Sequence, residues 1–149
     1  MTEFEIRPAA ANDLEWIRSF GLLTRRPARQ TIRWQEYFVA QAGQERVGCA
    51  AVERVGGGGY LYGLAVHLDH RRSGIGSALT QVRVERVRAW NGKFAAALAM
   101  FWNLRFFRSL GFTNVPKASL PAAVTNLPDF RNPKLRRSVA VLKPVTSPG

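Results

Sequence analysis

Residues 71–78, Arg-Arg-Ser-Gly-Ile-Gly-Ser-Ala, limit what this chain can fold into more than any other stretch. The apolar run Tyr60 to His67 ahead of them reads as a buried strand, and Ile75 to Asn91 behind them as a helix. The glycines therefore fall where a strand gives way to a helix. The first turn of a helix carries N–H groups without intrahelical partners and a partial positive charge, which together attract an anion. Gly74 and Gly76 let a ligand approach backbone that a Cβ would screen, while Arg71 and Arg72 place cationic donors at the rim. This pattern predicts a phosphate cradle.

Spacing separates the common owners of such a cradle. A dinucleotide fingerprint G-x-G-x-x-G needs a third glycine where this chain has Leu79, and an acid about 20 residues on at the end of a following strand. A P-loop needs Lys-Ser/Thr after its second glycine, and that too is missing. What stands here is R-x-x-G-x-G (Arg71, Gly74, Gly76), preceded by Leu64-Ala65-Val66 and followed by Phe106-Phe107-Arg108-Ser109-Leu110-Gly111-Phe112. These three blocks, in this order, resemble the GNAT superfamily of acyl-CoA-dependent N-acyltransferases. The competing reading is an ordinary strand-to-helix turn with a glycine at the helix start.

The chain has 149 residues and 46% hydrophobic content, which suits one core and predicts a single domain over 1–149. The lone cysteine, Cys49, excludes an internal disulfide and sits in an apolar stretch, as a buried thiol would. The N-terminus lacks the basic and apolar regions of a secretory signal, and the longest apolar run, Phe94 to Trp102, falls short of the ~20 residues that cross a bilayer. A cytoplasmic protein without membrane attachment is expected. The formal charge of +12 comes from 18 Arg and 4 Lys against 10 acids and favours anionic partners such as coenzyme A, nucleic acid or acidic protein. The arginines are scattered, though, and the one dense run, Arg131 to Arg137, has no interleaved aromatics for stacking bases, so nucleic acid is not the expected partner.

In chain order, Phe4 to Pro8 alternates like a strand and Asn12 to Leu22 carries a helical stripe of Leu14, Ile17 and Leu22. Thr24 to Arg33, with Arg25, Arg26 and Arg29 around Pro27, reads as a loop or short irregular helix. Glu36 to Gln41 and Arg46 to Val55 read as antiparallel strands, and the four glycines 56–59 as a hairpin connection to the strand at Tyr60. The helix after the cradle shows a stripe of Ile75, Leu79, Val82 and Ala89, with Gly92 as its C-terminal cap. Phe94 to Leu98 follows as a strand, Leu104 to Leu110 as a short helix, and Ser138 to Leu142 as the last strand; Lys143 to Gly149 is expected to fray. The expected fold class is α/β (α+β): a mixed, mostly antiparallel sheet of six to seven strands with flanking helices.

The start Ile6-Arg7-Pro8-Ala9-Ala10-Ala11-Asn12-Asp13-Leu14 resembles the family's opening strand and helix. Leu120-Pro121-Ala122-Ala123-Val124, Asp129-Phe130 and Ser138-Val139-Ala140-Val141-Leu142 are similar to small members encoded in arsenic-resistance operons, which also resemble the acetylglutamate-synthase type. The resemblance implies acetyl transfer from acetyl-CoA to a small amine, with coenzyme A as co-substrate and no metal. Position for position, Leu64, Ala65 and Val66 would pair with the pantetheine arm, and Arg71, Arg72, Ser73, Gly74, Ile75, Gly76 and Ser77 would receive the pyrophosphate.

Where family members commonly carry a tyrosine that protonates the leaving sulfur, this chain has Phe107, which would line the coenzyme and has no proton to give. A thiol of pKa near ~8.5 is a tolerable leaving group as thiolate, so this loss need not abolish transfer. Tyr60 and Tyr62 share a strand face and offer a donor hydroxyl, Tyr62 being the candidate. The strand Phe94 to Leu98 carries no carboxylate, which leaves Glu53 as the candidate base and His67 behind it. His67 and His70 alone cannot make a metal site. Two rivals stay open: a coenzyme-binding regulatory module without turnover, and a basic acetyltransferase docking on protein or nucleic acid through Arg131 to Arg137. A homodimer is compatible with either.

Overall fold

The computed structural model describes residues 3–23, 29 and 31–146. Most of the predicted loop Thr24 to Arg33, and the last three residues, lie outside the described residues. The secondary structure is β1 (Glu5–Pro8), α1 (Leu14–Leu23), β2 (Tyr37–Ala42), β3 (Glu45–Val55), β4 (Gly58–Val66), α2 (Ile75–Ala89), β5 (Phe94–Ala99), α3 (Leu104–Ser109), β6 (Thr113–Val115), α4 (Ala122–Thr125) and β7 (Val139–Pro144). The strands form one seven-stranded mixed sheet in the order β1-β2-β3-β4-β5-β7-β6. Met1–Val52 with Gly63–Arg83 make one compact unit, and Glu53–Tyr62 with Val84–Gly149 make another.

In the first unit, β1 pairs antiparallel with β2, and β2 with β3 across a tight turn at Gly43. Gly48 on β3 explains how α2 can lie so close: a Cβ there would stand 3.1 Å from the Ala65 carbonyl, 3.3 Å from Ile75 and 3.4 Å from Leu79. The residues of α2 that bury are Ile75, Leu79, Thr80, Arg83, Val84 and Val87. This corrects the predicted stripe, because Ala89 is exposed and Val82 only half-buried, while an arginine occupies the core face.

In the second unit, β4 and β5 run parallel over Gly59–Ala95, Tyr60–Ala96 and Leu61–Ala97. The ladder stops there, although β4 continues to Val66 and β5 to Ala99. Strand β7 pairs antiparallel with both β5 and β6. Only Gly56 and Gly57 form the hairpin turn, with φ of 52° and 84°, as a two-residue turn between right-twisting strands requires. Gly58 already belongs to β4, where a Cβ would stand 2.5 Å from the Phe94 carbonyl. Helix α2 ends in a Schellman motif: Gly92 N–H donates to Val87 O and Asn91 N–H to Arg88 O, each at 2.9 Å. Asn91, at φ 61°, takes the left-handed position that the sequence reading gave to Gly92. Tyr60, Ala96, Leu120, Val124, Leu127 and Ala140 form this unit's core cluster.

Candidate active site

The cradle belongs to the first unit. Strand β4 leaves the sheet at Val66, and Leu68–His70 make one 3-10 turn. His67 caps that turn by accepting the Asp69 N–H on Nδ1 at 3.2 Å, which places the ring proton on Nε2 when the imidazole is neutral. Its ring lies edge-on to His70 at 5.8 Å. The Ser73 hydroxyl donates to His70 O and closes the loop. Arg72 has φ 66° and Gly74 φ 90°, so the chain makes two left-handed steps just before the helix.

Helix α2 makes its first backbone bond from Ala78 N–H to Gly74 O at 3.0 Å. The Ile75, Gly76 and Ser77 amides precede that bond and are the donors a helix start offers to an anion. Gly74 is exposed and Gly76 and Ser77 half-buried, whereas the Ile75 side chain is buried and anchors the turn. The Gly74 requirement is conformational: a Cβ there would meet nothing within 4 Å, but φ of 90° disfavours any side chain. Arg71 and Arg72 are both exposed at the rim, with Arg71 Nε 3.5 Å from Val66 O. Ahead of the loop, Ala65 is buried and Leu64 and Val66 half-buried. Gly63 interrupts β4 with φ 70°, and a Cβ there would lie 2.9 Å from the Tyr37 hydroxyl. The structure thus brings Leu64, Ala65, Val66 and residues 71–77 into one contiguous strand-loop-helix segment.

The remaining candidates belong to the second unit. Tyr60 is 1% exposed and donates its hydroxyl to Asp129 Oδ2 at 2.8 Å. Its proton is committed to the tail. Tyr62 is half-buried and stacks on Tyr60 with centroids 6.0 Å apart and planes at 13°. Glu53 is half-buried near the end of β3. Tyr60 and Tyr62, two residues apart on β4, share one of its faces. Phe107 is buried between Phe106 and Phe112, both 5.3 Å away and near perpendicular. Asp129 was not among the candidates because it sits in a short tail segment without periodicity; its link to Tyr60 spans 69 residues.

A family model for the acetyltransferase (GNAT) domain matches residues 33–114. The chain belongs to the GNAT acetyltransferase family. N-acetylglutamate synthase from Neisseria gonorrhoeae, complexed with coenzyme A and N-acetyl-glutamate, superposes with a TM-score of 0.83 at 19% identity, over 97% of this chain and 36% of that one. The chain thus spans about a third of that synthase. Rv2747 from Mycobacterium tuberculosis, in complex with coenzyme A, gives 0.80 at 19% identity over 95% of this chain and 99% of that one. The ribosomal-protein-S18-alanine N-acetyltransferase from Escherichia coli gives 0.67 at 15% identity over 99% and 97%. No curated protein sequence matches. Among the described residues no helix is long and apolar enough to cross a membrane.

Proposed function

We propose that the protein moves an acetyl group from acetyl-CoA to the amine of a small, amino-acid-like molecule, with residues 1–149 acting as one acyltransferase domain. The observation that carries this reading is the opening of α2, where three amides precede the first intrahelical bond behind a glycine at φ 90°. Those amides, with Arg71, Arg72 and Ser73, would hold the coenzyme diphosphate by charge and hydrogen bonds. The main chain of Leu64, Ala65 and Val66 would hold the pantetheine arm as an added strand does, its N–H groups polarising the thioester carbonyl. Acetyl-CoA supplies the acyl group in activated form. Glu53 would take the proton of the amine, and the Tyr62 hydroxyl would donate at the departing sulfur, which Phe107 cannot do.

The amino-acid character of the acceptor is supported by the acetylglutamate synthase likeness. Thiol release from acetyl-CoA, followed across a panel of amino acids and small amines, tests the reading. The expected result is amine-dependent release that Gly74→Val reduces by at least about tenfold, since the side chain strains the left-handed step by about 1–3 kcal/mol. Stabilisation by coenzyme A with no thiol release on any amine would instead mark a binding module. No effect of coenzyme A on stability would overturn the reading entirely.

A further inference from the structure

Arg83 lies on α2 seven residues beyond Gly76 and is 1% exposed. Its neighbours Arg86 and Arg88 keep part of their side chains in solvent, as long cationic residues on a helix do. Arg83 instead folds inward. Nε donates to Leu79 O at 3.1 Å, Nη1 to Ala51 O at 3.0 Å and Nη2 to Thr80 Oγ1 at 3.1 Å. The Thr80 hydroxyl in turn donates to Gly76 O at 2.9 Å. A chain of two hydrogen bonds therefore runs from a buried guanidinium to the first turn of the cradle helix.

Burial pushes the Arg83 guanidinium down to about 9, which still leaves it cationic at neutral pH. A cation buried in protein behind the first turn of α2 attracts an anion bound on that turn through a medium of lower effective dielectric than water. The bond onto the Gly76 carbonyl also polarises the Gly76–Ser77 peptide and makes the Ser77 N–H a stronger donor.

We propose that Arg83 is a buried positioning residue of the coenzyme site: without touching the coenzyme, it strengthens diphosphate binding on the first turn of α2 through its charge and through the Thr80 link to Gly76. This inference rests on the coenzyme reading above. A charge roughly 10 Å from a bound phosphate, at an effective dielectric of ~20, corresponds to about a tenfold change in affinity.

The test compares coenzyme A, by isothermal titration, with pantetheine, which lacks the diphosphate, by NMR titration. Arg83→Met is expected to weaken coenzyme A about tenfold and leave pantetheine within about twofold. Arg83→Lys, which keeps the charge, should stay within about threefold of the wild type for coenzyme A. Thr80→Val, which cuts only the hydroxyl link, should cost about threefold for coenzyme A alone. Loss of both ligands in parallel, or no loss for coenzyme A, overturns the proposal and assigns Arg83 to packing. Should Arg83→Met fail to fold, Thr80→Val decides by the same comparison. A wild type that binds no coenzyme A would overturn the coenzyme reading itself, a result seen before any variant is made.

Discussion

Asp13 follows β1 by five residues and is fully buried, yet every bond it makes is to a donor. Arg7 Nη1 and Nη2 donate to it at 2.7 and 3.0 Å, Arg46 Nε at 2.9 Å and the Ala10 N–H at 2.8 Å. The carboxylate ties β1 and β3 to the start of α1. The Arg7 bond, with the other donors behind it, holds the Asp13 carboxyl well below the ordinary carboxylate range. A group whose folded pKa is depressed stabilises the fold above its unfolded pKa of about 3.9 and loses that contribution as pH falls through the lower folded value. Asp13 therefore leaves stability flat between pH 7 and 5 and contributes to acid unfolding below about pH 4. Asp13→Ala should cost about 3 kcal/mol at pH 7, since it strands two partly exposed arginines beside a buried gap, and the deficit should shrink only as pH falls below about 4. Urea unfolding of both proteins across pH 3–7 checks the magnitude and the sign.

At the scale of elements, α2 is where sequence and structure differ most usefully. Its start was legible because glycine and serine at a strand-to-helix junction have few other uses, and Ile75 and Leu79 do face the core. Its buried face was not, because continuing the i, i+4 spacing from Ile75 and Leu79 arrives at Arg83 and then Val87, and a stripe drawn through apolar residues passes an arginine by. Thr80, which receives one of its bonds, is its i−3 neighbour on α2, but the Ala51 carbonyl lies on β3, where no helical pattern reaches. Six of the seven strands were legible to within two residues for the opposite reason, their alternation and turns being local, while β6, three residues long, was not. The Tyr60–Asp129 bond, which removes one tyrosine from contention, is long-range and left no local trace. Gly48 gives this scale a prediction. A valine there would push into Ala65 O, Ile75 and Leu79, the strand and helix on either side of the cradle loop. Gly48→Val should destabilise by about 2 kcal/mol through overpacking. That corresponds to a Tm lower by about 4–8 °C for a chain of this size, and coenzyme affinity should fall with it. Calorimetry with and without coenzyme A reads both.

For the whole molecule, a charge of +12 sets up a field that draws any polyanion, and its reach depends on where each arginine lies. Arg71 and Arg72 are exposed, so any pull they exert on an anion passes through solvent, where the Debye length is about 8 Å at physiological salt. Arg83 is buried and acts through protein, where added salt screens little. The two kinds of cation should separate in a salt titration of coenzyme A affinity. Replacing Arg71 and Arg72 by Gln should flatten the plot of log affinity against log salt, so that variant and wild type converge near 1 M. Arg83→Met should displace the line downward by about tenfold with its slope unchanged. The run Arg131 to Arg137 is a control for the field itself: its four cationic side chains, Arg131, Lys134, Arg136 and Arg137, are all exposed. If they serve only bulk attraction, binding of heparin should disappear between about 50 and 300 mM salt and should not compete with coenzyme A. Heparin binding that survives high salt would point instead to a dedicated acidic partner on that segment, and a salt-independent loss at Arg71 and Arg72 would show that they contact the coenzyme directly enough to exclude solvent.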